Sequence, residues 1–138
     1  MTFLVDTVAL SALFDSSRQP AVAAWLTARA PHLYTSILSF GEIERGIAKE
    51  LVNDPPFGLR LSRWSSEAQQ AWAARTLPMG IPEALQWGKL SQRLRRKDPD
   101  LMIAATALVH DLTVVTRNVA QFERTGVRVI NPWAETSA

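Results

Sequence analysis

The sequence contains no cysteine. That excludes disulfides, thiolate metal sites and cysteine nucleophiles, and it favours a reducing compartment, so a cytoplasmic location is expected. Histidine is scarce: His32 and His110 are the only two, and they stand too far apart for a recognisable zinc motif. There is no G-x-S-x-G elbow, no Walker loop and no G-x-G-x-x-G. No apolar run approaches the length of a membrane span. The first residues, MTFLVDTVAL, carry no basic leader and meet an acid at position 6, so no signal peptide is expected. Net charge is also small, +2 at pH 7, which by itself does not announce a nucleic-acid binder. Carboxylates are then the main remaining candidates for chemistry.

The chain is 138 residues long, 47% hydrophobic and 20% charged, which suits one soluble domain spanning 1–138 with its own core. Phe3-Leu4-Val5 is a short buried strand that ends at Asp6. Leu10, Leu13 and Phe14 follow at helical spacing. Pro20 opens a helix with Val22, Trp25 and Leu26 on one face. His32 to Ile37 reads as a second strand. Ser39 begins a helix with Ile43, Ile47 and Leu51 inward, and Pro55-Pro56 with Gly58 marks a loop. Leu59 to Leu77 is a long helical stretch, broken by Pro78-Met79-Gly80. Pro82 to Arg96 is another helix, with Leu85, Leu90 and Leu94 apolar. Asp98-Pro99 starts the helix that feeds a third strand, Leu112 to Thr116. A short helix over Val119 to Arg124 and a strand over Val127 to Ile130 end the series. Strands separated by helices predict a mainly parallel sheet inside an α/β sandwich. Function in such folds sits outside the carboxyl ends of the strands.

That rule selects acids. Asp6 ends the first strand, and it is either a helix cap or a ligand. Glu42 lies in Ser39-Phe40-Gly41-Glu42, which also spells a capping box. Asp100 is harder to explain locally. Asp98 can cap the helix with Pro99 in its first position, which leaves Asp100 with only a modest helix-dipole benefit. Three carboxylates brought together repel and their pKa values rise. A hard divalent cation such as Mg²⁺ or Mn²⁺ reverses that, taking oxygen ligands and retaining waters that can face a phosphate. The chemistry that follows is phosphodiester hydrolysis. Lys89, Arg93, Arg95, Arg96 and Lys97 fall together just before Asp98. They read either as a solvated helix end or as a phosphate-contacting patch.

The segments FLVDTVALSALF, SILSFGEIERGIAK and DPDLMIAATALVHDLTVVTRNVAQFERTGVRVINPW resemble the PIN-domain ribonucleases of the VapC and FitB type. The resemblance covers nearly the whole chain in order. It implies a PIN-like three-layer α/β/α sandwich and a metal-dependent endoribonuclease toxin of a type II toxin–antitoxin pair. By position, Asp6, Glu42 and Asp100 would be the metal and catalytic acids, Thr7 a supporting hydroxyl, and Thr116-Arg117-Asn118 the T-R-N corner. Two departures stand out. Val8 occupies a position where the family usually has Asn. Asn118 and Gln121 are neutral amides where a fourth family acid falls, so a single-metal site centred on Asp6 and Asp100 is expected. Each amide still offers a carbonyl oxygen.

The implied partners are a cognate VapB-like antitoxin, RNA, and a second copy of the chain as a homodimer, alone or joined with antitoxin in a hetero-oligomer. DNA would be reached only through the antitoxin. Arg45 and the Lys89–Lys97 run would hold RNA phosphates. Trp25, Trp64, Trp72 and Trp87 read mainly as core, with an antitoxin groove or dimer face as the other use. The alternative function is a catalytically weak or inactive PIN-fold subunit acting through its antitoxin in an autorepressor complex. A flap nuclease acting on structured DNA ranks last, because the chain lacks long insertions for threading.

Overall fold

A computed structural model describes residues 1–135. Five strands form one sheet in the order β3-β2-β1-β4-β5, and every described pairing is parallel. The strands are β1 (Phe3–Val5), β2 (Leu33–Ser36), β3 (Thr76–Leu77), β4 (Thr113–Val115) and β5 (Val129–Ile130). Parallel strands need long crossovers, and helices supply them: α1 (Thr7–Ser11), α2 (Pro20–Ala28), α3 (Ile37–Asn53), α4 (Pro55–Ala71), α5 (Ile81–Leu94) and α6 (Pro99–His110). A short helix, α7 (Pro132–Glu135), follows β5.

Alternation along the short strands divides the core between two faces. Phe3, Val5, Leu33 and Val115 pack with Leu10, Trp25, Leu26, Ile43, Ile47 and Trp72 from the α1–α4 side. Leu4 and Val114 pack with Leu90, Ile103, Ala104 and Ala107 from α5 and α6. This is the expected three-layer α/β/α sandwich. Trp25 and Trp72 are buried, while Trp64 and Trp87 pack partly buried against the two cores.

Several local expectations are corrected. Thr76–Leu77 is a fifth strand pairing with Thr35–Ser36 at the sheet edge, where the sequence reads as the end of a long helix. The α4 helix instead stops at Ala71. Pro55-Pro56 and Gly58 do not form a loop: Asp54 caps α4 by accepting from Phe57 N–H, and the prolines occupy its first turn. Gly58 is needed for close helix packing, because a Cβ there would lie 2.8 Å from Leu51 N. Leu51, expected inward, is 42% exposed. The α3 cap is Ser36, whose hydroxyl accepts from Leu38 N–H, so the helix starts before Ser39.

The chain leaves β1 towards β2 and β3 on one side, and returns through α6 to β4 and β5 on the other. The carboxyl ends of β1 and β4 therefore flank a topological switch point, the place where open α/β sheets form ligand crevices.

Candidate metal centre and active site

Asp6 stands directly at that switch point. Its N–H donates to Val115 O at 3.0 Å, continuing the β1–β4 ladder by one step. Its Oδ1 accepts from Ala9 N–H at 2.8 Å and caps α1. The capping reading is correct, and it leaves the second carboxylate oxygen for other work. The residue is only 4% exposed. Burial pushes its carboxyl above the ordinary range, opposed by hydrogen bonds from the Thr116 hydroxyl and Ala9 N–H, with the Glu42 charge adding to the rise.

Glu42 reaches the same field from α3. With the cap at Ser36, Glu42 lies beyond the first turn, so no capping box forms. Its Oε1 instead accepts from the Thr7 hydroxyl at 2.6 Å. Thr7 Oγ1 also lies 2.9 Å from the Ser39 hydroxyl, so Thr7 can donate to Glu42 while Ser39 donates in return. Ser39, read from sequence as a cap, is a fully buried support for this chain of hydroxyls.

Asp100 enters from the first turn of α6. Its carboxyl is pushed up to about 6, first by burial, then by the negative charges of Asp6, Asp98 and Glu42, with Arg96 acting in the opposite sense. An acid at a helix N-terminus is ordinarily stabilised in its charged form, so a rise there reports burial first, and the neighbouring carboxylates second, outweighing the helix dipole. Asp6, Glu42 and Asp100 are thus assembled from three separate elements into one field.

The donors are carboxylate, hydroxyl and amide oxygens, the set that suits a hard cation. Among the described residues, no three acid or histidine side chains close into a ready-made cage. Mg²⁺ does not require one, since it retains several waters and binds proteins through one or two carboxylates. Burial, with mutual repulsion adding to it, raises two of these acids, and a divalent cation would offset both effects. The oxygen donors present therefore suit a hydrated hard cation, which Asp6 and Asp100 could hold.

Residues 3–127 match the family model described as PIN domain. This chain is a PIN-domain protein. Its relatives include a protein of Sinorhizobium fredii named VapC ribonuclease Y4jK. The two are 31% identical, over 94% of this chain and 96% of the relative. The PIN fold is matched by the crystal structure of FitAcB from Neisseria gonorrhoeae with a TM-score of 0.80 and 29% identity, covering 96% of this chain and 99% of that one. A structure described as a toxin-antitoxin complex from Klebsiella pneumoniae matches with a TM-score of 0.70 and 25% identity, covering 95% and 98% of the two chains.

Around the PIN acids, the remaining candidates divide. Thr116 is fully buried, bonds Asp6 and accepts from Asn118 N–H at 2.9 Å. It therefore ties the T-R-N corner to the first acid. Asn118 is exposed beside it. Gln121 is engaged elsewhere: its side-chain and backbone oxygens accept from Arg96, both at 2.9 Å. Arg96 also grips Asp98 through two bonds, Nε to Oδ1 at 2.8 Å and an Nη to Oδ2 at 2.7 Å. Asp98 sits at the N-cap position of α6, but its side chain makes no capping bond. The Arg96 guanidinium holds its carboxyl below the usual range.

This clamp is the main feature that sequence reasoning missed. Arg96 reads as one cation in a run, yet it is partly buried and joins the start of α6 to the segment after β4. A bidentate arginine beside an Asp-Pro helix start was the available signal. Of the remaining cations, Arg45, Lys89, Arg95 and Lys97 are exposed, and Arg93 reaches Thr125 O at 3.4 Å. Val8 is 52% exposed beside Thr7 and offers the site no polar atom. Both histidines lie outside the acid field: His32 is exposed, and His110 pairs with the buried Glu83 at 3.5 Å.

Proposed function

We propose that this chain is the toxin component of a type II toxin–antitoxin pair, and that it hydrolyses RNA phosphodiester bonds at Asp6, Glu42 and Asp100 with Mg²⁺, or Mn²⁺ in its place. The carrying observation is the convergence of these three acids at the switch point, with two of them raised by burial and mutual charge. A bound cation would supply water activation and stabilise charge on the attacked phosphate. Asp6 and Asp100 would hold that ion, with Glu42 as the third acid beside it. Thr7 orients Glu42, Thr116 orients Asp6, and Arg96 fixes the turn that presents Asp100. Asn118 supplies a neutral amide at the mouth of the site. Neither Asn118 nor Gln121 adds the negative charge of a fourth acid, which favours a single ion.

The proposed partner is a VapB-like antitoxin, with DNA reached only through it, and the proposed assembly is a homodimer, alone or joined with antitoxin. Residues 1–138 are proposed to act as one domain. No helix among the described residues is long and apolar enough to cross a membrane. The alternative, a weakly active PIN subunit serving mainly in an autorepressor complex, is favoured by one observation: the amide of Gln121 is committed to Arg96.

Regulated expression in a bacterial host tests the toxin reading. The wild-type chain is expected to arrest growth, and co-expression of the cognate antitoxin to restore it. Asp100→Asn is expected not to arrest growth. Arrest that persists unchanged in Asp100→Asn would reject the acid site as its cause.

A further inference from the structure

The turn between α5 and α6 does more than connect two helices. Arg95 ends α5 in the left-handed conformation, φ 56 and ψ 45, which a side chain larger than glycine adopts at some cost in strain. Ser91 pins that turn: its hydroxyl donates to Arg96 O at 2.6 Å, and its own carbonyl accepts from the N–H groups of Arg95 and Arg96. The reversal turns Arg96 inward to Asp98 and Gln121, and leaves Arg95 and Lys97 exposed on either side of it. The three cations line a cavity of about 580 Å³ together with Trp87, Gly88, Ser91 and Gln92. That volume falls in the range of ligand pockets, about 300–1,000 Å³.

We propose that this cavity is a nucleotide subsite for single-stranded RNA, seating a base and phosphate next to the scissile bond. This rests on the ribonuclease reading above. Four observations carry it. The lining holds three cations and no acid. It includes an aromatic ring, and bases stack on aromatic side chains without needing a particular sequence. Gln92 adds amide groups able to meet a base edge. Finally, Arg96 belongs to the cavity wall and bonds Asp98, two residues before Asp100, so the cavity adjoins the turn that carries this acid. An acidic peptide would be served by the cations alone, whereas the aromatic ring and the adjoining Asp100 turn favour nucleic acid.

Gly88 provides a test that leaves the protein's packing intact. A Cβ added there meets nothing within 4 Å, and the position is exposed on α5. Gly88→Leu would project into the cavity, while Gly88→Ala is a control that only improves helix propensity. Two substrates are used: a single-stranded RNA oligonucleotide, and bis(p-nitrophenyl) phosphate, a small diester that needs only the acid site. Gly88→Leu is expected to raise KM for RNA about tenfold, with Gly88→Ala and the small diester unaffected. A double Arg95→Ala/Lys97→Ala variant is expected to flatten the salt dependence of RNA binding by about 1.4 in log–log slope, two phosphate contacts at about 0.7 each.

An unchanged KM for RNA in Gly88→Leu overturns the subsite. So does loss of antitoxin binding with RNA kinetics intact, which would assign the cavity to an acidic peptide. If the wild type cleaves neither substrate, the ribonuclease reading itself has failed. Cleavage of both, with no effect of cavity variants on RNA, removes the subsite alone.

Discussion

Replacing Asp100 by Asn should make the metal-free protein more stable at neutral pH. The Asp100 carboxyl rises from 3.8 to about 6 in the folded protein, a shift of about two units, or about 3 kcal/mol at most. The group is only half-buried, so solvent screening reduces this to about 1.5 kcal/mol. Loss of the favourable helix-dipole interaction offsets about 0.5 kcal/mol, leaving a net gain of about 1 kcal/mol for Asp100→Asn. The sign follows from linkage. The folded state binds the Asp100 proton more tightly than the unfolded state. That contribution is fully present below about pH 4 and is lost as pH rises through about 6. Thermal unfolding followed by circular dichroism in EDTA should place the variant about 3–4 °C above wild type at pH 7.5, given the scaling for a chain of this size. The gap should close as pH falls from about 6 towards 4. Adding Mg²⁺ should raise the wild-type Tm and leave the variant unmoved. A variant less stable than wild type at pH 7.5 in EDTA would refute the argument that burial and neighbouring negative charge disfavour the Asp100 carboxylate.

Three further substitutions probe the supports. Thr7→Val removes the hydroxyl bonded to Glu42 and should lower Mn²⁺ affinity about 10–100-fold with little change in Tm, measured by isothermal titration calorimetry. Arg96→Met cuts the links to Asp98 and Gln121. It should destabilise the fold by about 1–3 kcal/mol in urea denaturation and slow RNA cleavage at least tenfold, with no rescue by Arg96→Lys, which lacks the planar fork. Gly58→Ala forces a Cβ against the backbone of Leu51 and should cost about 1–3 kcal/mol by the same unfolding measurement, leaving kcat unchanged.

The parts of this protein that depend on local pattern were legible in its sequence. Phe3-Leu4-Val5 ending at Asp6 could only be a buried strand, and Asp98-Pro99 before LMIAATALV could only start an internal helix. Those two elements put Asp6 at the end of β1 and Asp100 in the first turn of α6. What depends on tertiary partners was not legible. Thr76–Leu77 is a strand only because Thr35–Ser36 lies beside it, and two residues continuing a helical pattern carry no period of their own. Pro55-Pro56 is compatible with both a loop and a helix start, and Asp54 decides it. Ser39 and Ser36 are both plausible caps. The choice between them removes Glu42 from a capping box and gives it to Thr7. Arg96 looks like its neighbours until Gln121, far along the chain, comes to meet it.

The central claim is that the acids assembled around Asp6 make this chain a divalent-metal ribonuclease. Cleavage of single-stranded RNA by the purified protein, titrated with Mn²⁺ from zero and run beside Asp6→Ala/Asp100→Ala, tests it most directly. The account predicts cleavage that appears only with metal, is abolished by EDTA, and is absent from the double variant although it folds. Cleavage by the double variant equal to wild type, or none by either above background, would contradict it.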